Sequence, residues 1–114
     1  MHNAQMISKE LVAASSRPLV LGILSGGENY GYAIIRKVRE LSKEELLWTD
    51  GVLYPVLHRL EREGLIESKW KRSETGRKRK CYRLKREGRK ALASEREQWK
   101  TDHDTLMRLE SQPA

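Results

Sequence analysis

Phenylalanine is absent from this 114-residue chain, and cysteine occurs once, at Cys81. A single thiol excludes an internal disulfide framework and any multi-cysteine metal site. Long apolar runs are missing as well. The longest, Leu19 to Leu24, falls far short of the ~20 residues that span a bilayer. Met1 to Glu10 lacks the charged-then-apolar order of a signal peptide, so the expected location is the cytoplasm, with no membrane partner. His2, His58 and His103 are scattered and offer no metal-ligand spacing. No nucleophile elbow, P-loop or dinucleotide fingerprint occurs. Glu61 and Glu63 point to different faces of a helix and make no carboxylate pair. The length permits one domain with a small core and no large enclosed active site. The chain is therefore not expected to be an enzyme, and no metal or cofactor is expected.

The charge is what stands out. The formal net charge is +7, from 23 Lys and Arg against 16 Asp and Glu. Between Lys69 and Arg89 there are eleven Lys or Arg and two acids, Glu74 and Glu87, so that segment alone carries +9 and the rest −2. A focused excess of this kind suits a polyanionic partner, although a solvated basic surface gives the same count.

Periodicity supplies the elements. Ile7 to Leu24 has apolar residues at helical spacing, with Pro18 marking either a kink or the start of a new helix capped by Ser15 or Ser16. A second helix is expected from about Tyr30 to Leu41, with Asn29 as its N-cap. A third is expected from Asp50, its N-cap, to Glu63: Leu53, Val56, Leu57 and Leu60 turn one face inward, and Tyr54, Pro55, His58, Arg59 and Arg62 lie on the other. Gly64 is the stop. Leu65–Lys71 and Arg79–Leu84 alternate as strands around the turn Ser73-Glu74-Thr75-Gly76. A last helix runs from Arg86 to Leu109. The fold class is thus mostly α with a small β-hairpin. It reads as a winged helix-turn-helix over residues 1–85, a C-terminal dimerisation helix over 86–110 and a tail at 111–114. A slim third helix with a polar outer face can enter a major groove, and a basic hairpin beside it can reach flanking phosphates.

The runs Tyr30-Gly31-Tyr32, Gly51-Val52-Leu53-Tyr54-Pro55, Arg59-Leu60-Glu61-Arg62-Glu63-Gly64-Leu65-Ile66 and Gly76-Arg77-Lys78-Arg79-Lys80-Cys81-Tyr82 together resemble the PadR family of bacterial transcriptional regulators. The resemblance covers roughly residues 18 to 92, followed by the single trailing helix of the short members. It implies a homodimeric repressor that binds double-stranded DNA at inverted-repeat operators, with the trailing helix set against the partner's first helix. The family usually carries Ser or Thr where this chain has Val52. A valine cannot bond a phosphate or a base edge but can meet a thymine methyl, which leaves the operator sequence open.

The candidate DNA-binding residues are Tyr32, Val52, Tyr54, His58, Arg59, Arg77, Lys78, Arg79 and Lys80. Tyr32 and Tyr54 sit where helix N-termini offer N–H groups to phosphates, or else pack the motif. His58 and Arg59 are base-edge or phosphate contacts by resemblance, or simply solvated. Strand alternation sends Arg77 and Arg79 one way and Lys78 and Lys80 the other, so that at most two face DNA squarely. The alternative for the wing is a solubilising edge guard. Cys81 reads as a small strand residue, although the cations around it would lower its pKa. The alternative function is a winged-helix module that binds a protein.

On the last helix Leu92, Trp99 and Leu106 recur every seven residues, a stripe too thin for a monomer core and suited to a dimer seam. The candidate dimer residues are Leu11, Leu92, Trp99 and Leu106. Trp99 is either an anchor of that seam or, as its similarity to short drug-responsive members implies, one half of a platform for a planar aromatic molecule. His103, one turn on, is the second candidate ligand residue.

Overall fold

A computed structural model describes residues 9–113, and their side chains from Ser15 onward. The order is helix α1 (Lys9–Leu24), strand β1 (Asn29–Tyr30), helices α2 (Gly31–Leu41) and α3 (Asp50–Arg62), strands β2 (Ile66–Arg72) and β3 (Lys78–Leu84), and helix α4 (Arg86–Glu110). Four helices and a small antiparallel sheet make the expected fold class.

Several local expectations change. α1 runs unbroken through Pro18, so the restart at Ser15 or Ser16 does not occur. Asn29 is not a helix cap. It pairs with Tyr82, and Tyr30 with Cys81, which adds a third strand in the order β1-β3-β2. Tyr30, in extended conformation, is the N-cap of α2. Thr49 rather than Asp50 precedes α3, and Asp50 lies in the first turn, where a carboxylate meets the positive end of the helix dipole. Pro55 lies inside α3, near its start, as expected.

The apolar faces meet as the periodicity requires. Val20, Leu21 and Leu24 of α1, Ile34 and Val38 of α2, and Leu53, Leu57 and Leu60 of α3 are buried together. Ile66, Tyr82 and Leu84 close the core from the base of the hairpin, and Leu92 of α4 joins it. Gly64 (φ 76°) turns the chain out of α3, and the Leu65 N–H bonds the Leu60 carbonyl at 3.0 Å. α4 then crosses this corner at close range, because a Cβ on Gly88 would stand 2.2 Å from the Leu65 carbonyl oxygen.

α4 is 25 residues long, or ~37 Å. Only its first turns are held by the core, and the molecule extends to 62 Å along its longest axis.

Candidate nucleic-acid interface

The outer face of α3 carries His58 and Arg59, both exposed, and Tyr54, half-buried with its ring 6.4 Å from that of His58. The Tyr54 phenol lies over the first turn of α2, at Gly31. Val52 is half-buried against the core, so only part of it faces outward.

At the start of α2, Tyr32 is 50% exposed and stacks on Tyr30 (6.1 Å, 9° between planes). Two guanidiniums rest on its ring: Arg79 of β3 at 5.0 Å and Arg36 at 5.6 Å. Cation–π contact fixes both cations at the junction of α2 and the wing. Arg36 was not among the residues picked out by sequence. Its signal was the i, i+4 spacing from Tyr32, which puts the two on one helix face.

The wing cations divide. Arg77 lies in the turn, where its carbonyl accepts the Ser73 N–H at 2.8 Å, and not on the strand, so strand alternation does not govern it. Arg77 and Lys78 are exposed. Arg79 is spent on Tyr32, and Lys80 sits 4.0 Å from Glu61 of α3. Ser68 Oγ also donates to Glu61, at 2.6 Å, which ties the hairpin to the flank of α3.

Another bridge was invisible in the sequence. Arg17 of α1 donates through Nη1 to Glu63 at the end of α3 (2.6 Å) and through Nε to Glu95 of α4 (2.8 Å). One side chain thus links the candidate reading helix to the helix that bears Trp99.

Cys81 does not behave as its basic neighbourhood suggested. Burial pushes the thiol pKa up, and Glu28 adds to the rise. The Glu28 carboxylate is itself held low by its hydrogen bond from Lys71. Cys81 is a packed strand residue. Among the described residues no group of His, Cys, Asp and Glu is placed to hold a metal ion.

The α4 stripe is split. Leu92 is 5% exposed and packs in the core of its own chain, so this residue of the stripe belongs to the monomer core and not to the expected dimer seam. Trp99 is 50% and Leu106 62% exposed. Trp99 forms one wall of an apolar groove of about 690 Å³ whose other walls include Pro18, Leu19 and Ile23 of α1 and Leu41 at the end of α2. His103 is exposed and outside those walls. The Leu11 side chain and Ile7 lie outside the described residues.

The model of the transcriptional regulator PadR-like family matches residues 20–94. A transcriptional regulator of Mycobacterium tuberculosis, Rv3488, is 45% identical over 58 residues, which cover 51% of this chain and about half (53%) of that protein. Among solved structures, a PadR family transcriptional regulator from Eggerthella lenta is 31% identical, with a TM-score of 0.76 over 91% of this chain and 88% of its own. A PadR-like transcriptional regulator from Bacillus cereus is 28% identical, with a TM-score of 0.78 over 91% and 99%.

Proposed function

This chain belongs to the PadR-like family of transcriptional regulators, and from that premise we propose that it is a homodimeric repressor of an inverted-repeat operator, released by a planar aromatic molecule at the dimer seam. The carrying observation is the clustering of cations where the start of α2 meets the wing, Arg36 and Arg79 on Tyr32 and Arg77 and Lys78 exposed at the wing tip, together with the exposed His58 and Arg59 on α3. In this reading the phosphates are held by the wing and by the start of α2, and His58 and Arg59 reach base edges. Residues 1–85 form the DNA-binding unit and 86–110 the dimerisation helix, whose first turns also serve the core of the winged unit.

The dimer rests on Trp99 and Leu106, large apolar side chains left half-open on a helix that projects from its own core. Trp99 lines the groove of about 690 Å³ beside α1, an apolar seat for side chains of a partner helix or for a flat ring. A ligand wedged there changes the angle between subunits. DNA fixes the spacing of the two α3 helices at about 34 Å or a multiple, so such a change costs operator affinity. The location is the cytoplasm, beside the DNA. Among the described residues no helix is long and apolar enough to cross a membrane.

The test is a mobility shift with the DNA upstream of the protein's own gene, repeated with acridone as a neutral planar probe. Quenching of Trp fluorescence is followed in wild type and Trp99→Ala. Operator binding that weakens steeply with salt, and acridone release that depends on Trp99, are the expected results. Salt-insensitive or absent DNA binding sinks the repressor reading. Acridone binding that survives in Trp99→Ala sinks the ligand site.

A further inference from the structure

The hairpin has two unlike faces. Cross-strand partners share a face, so the register Ile66↔Leu84, Ser68↔Tyr82, Trp70↔Lys80 and Arg72↔Lys78 defines one side of the wing from base to tip. At the base Ile66, Leu84 and Tyr82 are buried in the core. One step out, Ser68 is bonded to Glu61 of α3. Beyond that the face overhangs the flank of α3, and the first large side chain on the overhang is Trp70, 65% exposed.

Charge separates the faces as well. On the opposite side Lys71 is paired with Glu28, Arg83 with Glu67, and Arg79 lies on the Tyr32 ring, so among the described residues only Lys69 of its strand cations is left without such a partner. On the Trp70 side, among the described residues, neither Arg72 nor Lys78 has an ion pair, and Lys80 approaches Glu61 only at 4.0 Å. Most of the unengaged positive charge of the hairpin therefore shares with the exposed indole the surface that continues from α3.

An indole held in water among cations gains little from other protein groups here and much from a sugar–phosphate backbone, which offers an apolar deoxyribose between two anions. Lys78 and Lys80 stand two residues apart on one face, a step of ~6.7 Å, comparable with that between neighbouring phosphates of one strand. We propose that Trp70 is a DNA-contacting residue whose indole lies against the deoxyribose wall of the minor groove flanking the α3 site, while Arg72, Lys78 and Lys80 hold the adjoining phosphates. This rests on the DNA-binding reading above. The contact reads the width and shape of the groove and not base edges, because sugars are the same at every step.

The experiment uses a duplex selected by the wild-type protein from a random-sequence pool. Hydroxyl-radical footprints, which report sugars from the minor-groove side, are taken with wild type, Trp70→Ala, Trp70→Phe and Arg59→Ala, each checked by thermal melting. Trp70→Ala is expected to bind 10-fold or more weaker, to lose protection of the sugars flanking the α3 site and to keep the same sequence preference. Trp70→Phe should recover most of the affinity. Arg59→Ala should keep the flanking protection. If Trp70→Ala binds within 2-fold of wild type with an unchanged footprint, or weakens only in proportion to a lost melting transition, the proposal is overturned and the DNA-binding reading stands. Failure of the pool to yield any duplex overturns both.

Discussion

Tyr54 and Gly31 interlock: a Cβ built on Gly31 would stand 2.6 Å from the Tyr54 phenol oxygen and 3.2 Å from its Cζ. The glycine lets the outer side of α3 lie directly on the first turn of α2, and the phenol is the spacer between them. Gly31→Ala should therefore displace Tyr54 and cost about 1–3 kcal/mol of stability. Removing the hydroxyl makes room, so Gly31→Ala combined with Tyr54→Phe should lose less than the two changes separately, by about 1 kcal/mol. Urea denaturation of the four proteins checks the cycle. Additive losses would mean that the two sites do not interlock in solution.

Gly88 meets a harder obstacle than Gly31 does. Its missing Cβ faces the Leu65 backbone carbonyl at 2.2 Å and the Leu84 side chain at 2.5 Å, and a backbone cannot rotate away as a phenol can. The Leu65 carbonyl also accepts the Lys85 N–H at 2.9 Å, which locks the crossing. Gly88→Ala should cost about 3 kcal/mol and lower the melting temperature sharply, whereas Gly51→Ala on the exposed start of α3 should not. Equal melting of the two variants would show that α4 does not cross at this distance.

These two glycines mark what the sequence could and could not disclose. Helical and alternating periods locate the helices and both long strands of the described residues, because burial of one face imposes a period. The strand at Asn29–Tyr30 escaped because two residues have no period, and its pairing with Tyr82 and Cys81 is a long-range event. The Arg17 bridge to Glu63 and Glu95 escaped for the same reason: its partners are 46 and 78 residues away. A lone leucine on a polar helix, Leu92 looks unpartnered in the sequence, and only the crossing at Gly88 brings it over the core. The wing cations are legible as a run, but their division is not: Arg79 lies on Tyr32, Lys80 approaches Glu61 at 4.0 Å, and Arg77 and Lys78 are exposed.

Tyr82 gives the fold an alkaline limit. Burial pushes its phenol up to about 12, with smaller contributions from Tyr54 and Glu61. Between the unfolded value near 10 and the folded value, the native state holds a proton that the unfolded chain releases. Stability should be unaffected below pH 10 and should fall from about pH 10 to 12, by about 2–3 kcal/mol in all. Tyr82→Phe should flatten that part of the profile. Urea midpoints at pH 9, 10 and 11 are the measurement, and an equal slope in wild type and variant would assign the loss to other groups.

The division of the wing cations predicts unequal losses. Arg77→Ala with Lys78→Ala removes two exposed charges per subunit, which in a dimer should flatten the slope of log K against log salt by roughly 3–4 and weaken all sequences alike. His58→Ala or Arg59→Ala should instead change which sequence is preferred, at about 1–3 kcal/mol for each lost base contact. Uniform weakening in both series would mean that α3 positions the protein without reading bases.

The split stripe on α4 separates folding from assembly. Leu92 is buried in its own chain, so Leu92→Ala should cost about 2–5 kcal/mol of stability. Leu106 is 62% exposed, and a change there should leave the fold of one chain within about 0.5 kcal/mol. Leu106→Asp should nonetheless abolish the dimer, because it places a charge on an apolar seam that association would strip of water. Sedimentation at micromolar concentration should give about twice 13.3 kDa for wild type and the single mass for Leu106→Asp, with unchanged helical circular dichroism. Affinity for an inverted repeat should then drop to that of one half-site, since the second α3 is no longer tethered to the first. A variant that still sediments as a dimer would move the seam away from the outer half of α4, and with it the role of Trp99 in joining the two subunits.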